Sequence, residues 1–202
     1  YLTGSIQGAK NKVNDVLESF NKFEWLWSDS IIDSVKEFNK KTPTLTDYEE
    51  KLKKFEDAEE QIEDIDVIFK IGAMALKTDN LKQGLKVWVK EWKAAYAEDL
   101  HKRAKALLDQ LSEQTKTLQA RLQKEVKDID SLGMVMSALE EIRQQEAEID
   151  MKFGPVFEMY ELYNQFLPNN TLDTQEMDAR SVLKRNWEAL IHEADVKQKE
   201  LK

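Results

Sequence analysis

The sequence predicts an all-α protein, an elongated multi-helix bundle laid around one long central helix. Composition is the first reason: 202 residues carry only six glycines and three prolines, with 34% charged residues, a balance that favours helix. The second is a run of apolar residues at Leu81, Leu85, Trp88, Trp92, Tyr96, Leu100, Ala104, Leu107, Leu111, Leu118, Leu122 and Val126. Its steps of three and four mark one face of a helix, and no proline interrupts it. The third is length. A helix from Asn80 to Val126 would be roughly 70 Å long at ~1.5 Å per residue, whereas a compact globule of this size is only roughly 45 Å across. Hence the expectation of elongation.

Taken in order, the first helix is expected from Ser5 to Phe38, with Val13, Leu17, Phe20, Trp27, Ile31, Val35 and Phe38 on one face and Phe23, Trp25 and Leu26 thickening it. Pro43 ends it, because the residue before proline avoids the α region. Thr46-Asp47-Tyr48-Glu49 has the pattern of a capping box opening the next helix. Leu45, Tyr48, Leu52, Phe55, Ile62, Ile65 and Phe69 carry that helix's apolar face. Between Glu56 and Asp66, seven of eleven residues are acidic. A calcium loop needs alternating oxygen ligands around a glycine, and none occurs before Gly72, so this reads as a solvated helix face. Val67 to Leu76 is the one stretch that leaves the helical pattern, with Gly72 suited to a helix C′ position and an extended connector after it.

Asp79 is the expected cap of the central helix, and Asp130 or Ser131 that of the next. Leu132, Val135, Leu139, Ile142, Ile149, Phe153, Val156, Tyr160, Tyr163 and Leu167 form a heptad-like seam. Gly154-Pro155 should kink or briefly break it, with the helix continuing beyond because the register survives. Leu167-Pro168-Asn169-Asn170 is a stop with turn chemistry. Thr174 then caps a last helix through Met177, Val182 or Leu183, Trp187, Leu190 or Ile191, and Ala194. The chain divides into an N-terminal helical pair over 1–77 and the central helix with its followers over 78–202. It opens at Tyr1 without Met and reaches Lys202 still helical, which reads as a fragment whose two ends continue into a larger chain.

Formal charge is −9, which disfavours nucleic acid and anionic lipid as partners, since both require a basic face. The apolar runs are too short to span a bilayer. Without cysteine there is no disulfide and no thiolate metal site. Gly4 and Gly8 lack the spacing and hydroxyl of a P-loop. His101 and His192 lack the companion histidine a zinc site requires and read as surface or rim residues. No carboxylate pair sits in a visibly apolar pocket, and no Glu-x-x-His occurs on two helices as a di-iron bundle would need. The expectation is therefore a non-enzymatic segment with no catalytic residue, cofactor or metal. Candidates for partner contact are Trp25, Trp27 and the lysine-free face near Tyr160 and Tyr163.

Three stretches carry a resemblance. The first is Ile71-Gly72 and Leu76 followed by Leu81-Lys82-Gln83-Gly84-Leu85 and Trp88, Trp92, Tyr96. The second runs from Asp128-Ile129-Asp130-Ser131-Leu132 through Gly133-Met134-Val135-Met136 to Ser137-Ala138-Leu139. The third is Ile149 through Phe153 to Glu158-Met159-Tyr160-Glu161-Leu162-Tyr163, then Leu183 and Trp187-Glu188-Ala189-Leu190. Their order and spacing resemble the stem of dynein heavy chains just before the linker, axonemal chains of the outer-arm type above all, from about Val67 to the C-terminus.

The resemblance implies a role in assembly and force transmission within the ciliary or flagellar axoneme, a cytoplasmic, cytoskeletal setting. Other heavy, intermediate or light chains and neighbouring stem bundles would be its partners. Microtubule binding and ATP hydrolysis would lie in the motor further along the parent chain. A spectrin-like repeat scaffold is the alternative, opposed by unequal tryptophan spacings: 63 residues from Trp25 to Trp88 and 99 from Trp88 to Trp187.

Overall fold

The computed structural model describes residues 2–169 and 172–201. Among them the order is α1 (Leu2–Glu18), a 3₁₀ turn (Asn21–Phe23), α2 (Trp25–Ser28), α3 (Ile31–Lys40), α4 (Leu45–Glu63), β1 (Ile68–Ile71), β2 (Met74–Lys77), α5 (Asp79–Leu122), α6 (Ile129–Phe166) and α7 (Thr174–Glu200). The all-α helical class holds, with one short hairpin as the exception. Packing divides the chain into two compact units, Tyr1–Asp99 and Leu100–Lys202. The division falls inside α5, whereas the division at Thr78 marks where that helix starts. Tyr1, Asn170 and Lys202 lie outside the described residues.

The single first helix expected from Ser5 to Phe38 is instead four pieces. Phe20, Phe23 and Leu26 are all buried, and three residues per turn is the 3₁₀ repeat that puts such a series on one side. The Ser19 hydroxyl turns back to the Val16 carbonyl, competing with the helix for its acceptor. Ser30 then accepts a hydrogen bond from the Asp33 amide and starts α3 afresh. The first of these turns gives no sequence signal beyond Ser19; the second is written in Ser28-Asp29-Ser30.

Helix starts depart from expectation by a few residues. Thr44, not Thr46, is the cap of α4, in a reciprocal box with Asp47. At α5, Asp79 is already helical and the capping position falls to Thr78, whose buried hydroxyl donates to the Asp66 carbonyl at 2.8 Å. Asp128, not Asp130 or Ser131, caps α6, with Ser131 as the reciprocal member of the box. Asp173 precedes α7 and Thr174 is its first residue, with no side-chain cap bond. The Ser131 hydrogen bonds, side chain first and backbone second, hold the Asp128 carboxyl below its ordinary value of 3.8. A depressed carboxylate stabilises above its unfolded value and loses that stabilisation as pH falls through the folded one. The first turn of α6 is therefore expected to fray in acid below pH 3.8, read as a shift of the Ser131 amide resonance. An amide unmoved down to pH 2 would contradict it.

The stretch from Val67 to Leu76 forms a hairpin and not an extended connector. Ile68 pairs with Lys77 and Ile71 with Met74, leaving Gly72-Ala73 as a two-residue turn. Gly72 has φ +61°, the left-handed value that the first central position of a type II′ turn requires. β-branched Ile68 and Ile71 flank it, and Ile71 is buried. Helix α6 runs unbroken through Pro155. Met151, four residues before it, and Pro155 itself are exposed, a place where water can satisfy the carbonyl freed by the missing N–H.

The apolar face of α5 is set by Leu85, Val89, Trp92, Tyr96, Leu100, Ala104, Leu108, Leu111, Leu118 and Leu122, all buried. Trp88 and Leu107 rotate off this line. Gly84 stands mid-helix with open space where a Cβ would point. Glycine there costs about 0.5–1 kcal/mol relative to alanine. Gly84→Ala is expected to stabilise the chain by about that amount, seen as a higher urea midpoint; a lower midpoint would mean the site is not open.

Candidate functional site

In the first unit, α5 supplies Trp92 and Tyr96 one turn apart, and the short α2 delivers Trp25 against them. The Trp25 ring stands edge-on to Trp92 at 5.5 Å and tilted on Phe55 of α4 at 5.8 Å. Phe55 also meets Tyr96 at 5.2 Å, and Phe38 of α3 stands edge-on to both Tyr96 and Tyr48. The Trp92 indole N–H donates to the Leu26 carbonyl at 3.1 Å, giving a buried polar atom the partner it requires. Beside the rings, Asp99 accepts from the Asn39 amide at 2.9 Å and from the Tyr48 hydroxyl. These bonds tie α3, α4 and α5 together through side chains.

The predicted contact residues Trp25 and Trp27 separate here. Trp25 is half-buried in the aromatic cluster, with the Lys54 ammonium 5.1 Å from its ring centroid. Trp27 turns outward, 44% exposed, and leans on Trp88, itself 37% exposed, at 5.8 Å between centroids.

In the second unit, Tyr160 and Tyr163 do not face outward; both are buried, because the α6 seam carries them into the packing against α5 and α7. They surround a carboxylate. Glu176, 5% exposed, accepts hydrogen bonds from the Tyr160 hydroxyl and from His101 Nε2, the latter at 2.7 Å. His101 stacks on Tyr163 with centroids 4.7 Å apart, and the Arg180 guanidinium lies 5.4 Å from the Tyr160 centroid. Burial, then the Glu176 hydrogen bond, push the Tyr160 phenol well above its ordinary value of 10.0, so it acts as a donor and not as a base. His101, its side chain 18% exposed, is thus a rim residue of this cluster and not a surface one.

Glu176 was the residue missed from sequence, where Met177 was placed on the inner face; Met177 is exposed. Leu183, Trp187, Leu190 and Ala194 are the buried line of α7, and extending it back two turns lands on Glu176.

The constellation can hold three helices in register, with Tyr160 and Glu176 both buried. Among the described residues, no group of three His, Asp or Glu side chains could hold a metal ion. No described helix is long and apolar enough to cross a membrane. The open groove between α1 and the hairpin is lined by Ile6, Ala9, Val13, Ile71 and Met74, with Ser5, Lys10 and Lys12 at its edge and no carboxylate or histidine.

Fold and site together define a class: a helical-bundle segment whose polar groups are spent on joining helices. Comparison supplies the particular. Over 189 residues the chain is 31% identical to the dynein gamma chain of the flagellar outer arm of Chlamydomonas reinhardtii, covering 94% of this chain. It is 28% identical over 200 residues to dynein axonemal heavy chain 5 of Mus musculus and 26% identical over 200 residues to dynein axonemal heavy chain 8 of Homo sapiens, each covering 99% of this chain. The chain spans only 4% of the length of each of these relatives. No protein-family model matches it. By sequence the chain is similar to a stretch of axonemal dynein heavy chains, and the likeness extends through the N-terminal residues that the three stretches left out.

Proposed function

We propose that this segment is a non-catalytic part of the stem of an axonemal dynein heavy chain, a helical spacer that transmits force and supports assembly with associated chains. The observation that carries the reading is α5: forty-four residues in one unbroken helix, roughly 66 Å at ~1.5 Å per residue, with buried side chains from Leu85 to Leu122. A lone helix of that length bends and frays; one clad by α2, α3 and α4 in its first half and by α6 and α7 in its second resists both. The aromatic cluster and the Glu176 clamp are the fastenings.

ATP hydrolysis then belongs to other parts of the parent chain, and other heavy, intermediate or light chains are the partners. Contact with the microtubule is indirect, through the assembled complex in the axoneme. The spectrin-like alternative draws no support from the relatives.

An antibody to this segment, used to blot isolated cilia and their high-salt extract, tests the proposal. It is expected to mark a polypeptide many times larger than 23.6 kDa that salt releases from the axoneme with other dynein subunits. A band absent from cilia would overturn the reading.

A further inference from the structure

The first unit exposes one aromatic pair that its own packing does not use. Trp27 and Trp88 touch each other, yet both keep over a third of their surface in water, and Val87 beside them is exposed too. Tryptophan is the side chain most enriched at the energetic centres of interfaces. One turn before Trp88 on the same face lies Gly84, where nothing approaches within 4 Å of a Cβ position. No contact within the unit requires glycine there, and a missing side chain beside an exposed ring allows another backbone to come close.

The charges at this face have one sign. Glu91 follows Trp88 by one turn and Glu24 precedes Trp27 by one turn, with the Trp27 amide bonded to the Glu24 carbonyl at 3.1 Å. Both carboxylates are exposed. Asp29 adds a third, bonded only to the neighbouring Ser28 hydroxyl. The nearby cations are directed elsewhere: Lys86 pairs with Glu63, Lys22 lies over the Phe23 ring, and Lys90 is two residues on from Trp88, across the helix.

We infer that Trp27 and Trp88, with the Gly84 notch and the Glu24 and Glu91 carboxylates, form a docking surface for a basic protein segment. Its occupant presents an apolar side chain to the rings, with Lys or Arg on either side. Such cations gain twice here, from the carboxylates and from the electron-rich ring faces. This names the chemistry of one partner of the proposed stem and rests on that reading.

Hydroxyl-radical footprinting of the complex containing the full heavy chain tests the surface, with buried Trp187 as the unreactive reference. Trp27 and Trp88 are expected to oxidise at least fivefold more slowly in the assembled complex than in the chain stripped of partners. The Glu24→Lys/Glu91→Lys variant is expected to restore fast oxidation, as is Gly84→Lys, which fills the notch with a cation at an open helical position. Equal oxidation in the assembled and stripped states would overturn the docking surface. So would protection that both variants leave intact, because the occupant would then not be basic. Co-purification of dynein subunits is scored separately. If the subunits are present and the tryptophans stay reactive, the surface fails and the stem reading stands. Charge-dependent protection in a complex lacking dynein subunits would keep the surface and remove the stem.

Discussion

Trp92→Ala is expected to destabilise the first unit by about 3–5 kcal/mol, the range for removing a large buried aromatic. Trp92 is the ring on which Trp25, Phe55 and Tyr96 converge, and its indole N–H is the partner of the Leu26 carbonyl. Truncation opens a cavity and leaves that carbonyl unsatisfied, and the two costs add. The measurement is urea unfolding followed by tryptophan fluorescence, which reports mainly the first unit because Trp25, Trp27, Trp88 and Trp92 lie there and only Trp187 lies in the second. Trp92→Phe keeps a six-membered ring but loses the rest of the indole and its donor, so its loss should fall between none and that of Trp92→Ala. A Trp92→Ala chain that unfolds at the original midpoint would show that the aromatic cluster does not hold the unit together.

Glu176→Ala is expected to cost the second unit about 3–5 kcal/mol, as breaking one side of a buried polar pair does. The substitution removes the acceptor of the Tyr160 hydroxyl and of His101 Nε2. Glu176→Gln retains an acceptor oxygen for Tyr160 and should lose about 1 kcal/mol, the difference between a charge-assisted and a neutral hydrogen bond. Far-UV circular dichroism during thermal unfolding measures both. Equal losses for alanine and glutamine would mean that the negative charge, which both remove, is what matters at that position and not an acceptor oxygen as such.

Much of the fold was legible because long periodic stripes leave little freedom. Of the α6 seam, Val135, Leu139, Ile142, Ile149, Phe153, Val156, Tyr160 and Tyr163 are buried, while Leu132 is half-buried and Leu167, also half-buried, falls just past the helix. In α5 the stripe drifted at Trp88, where Val89 is the inner residue; both lie near the edge of the face, and the larger side chain attracts the reading. The turn from Phe20 to Leu26 was not legible, because it comes from burying Phe20, Phe23 and Leu26 together and not from any proline or glycine, whereas Ser28-Asp29-Ser30 does mark the start of α3. The hairpin was half legible: Gly72 marked a left-handed residue, but a helix end and a tight β-turn both use one. The Glu176 clamp escaped because a buried carboxylate looks like any other acidic helix residue until Tyr160 and His101 are seen around it. Of the contact candidates, Trp27 is the most exposed, at 44%.

Cryo-EM of an intact axonemal dynein containing this heavy chain tests the central claim most directly. The account predicts one unbroken rod of helical density for Asp79–Leu122, placed in the stem and clad along its length by neighbouring helices. Density interrupted within that span, or a position inside the motor ring, would contradict it.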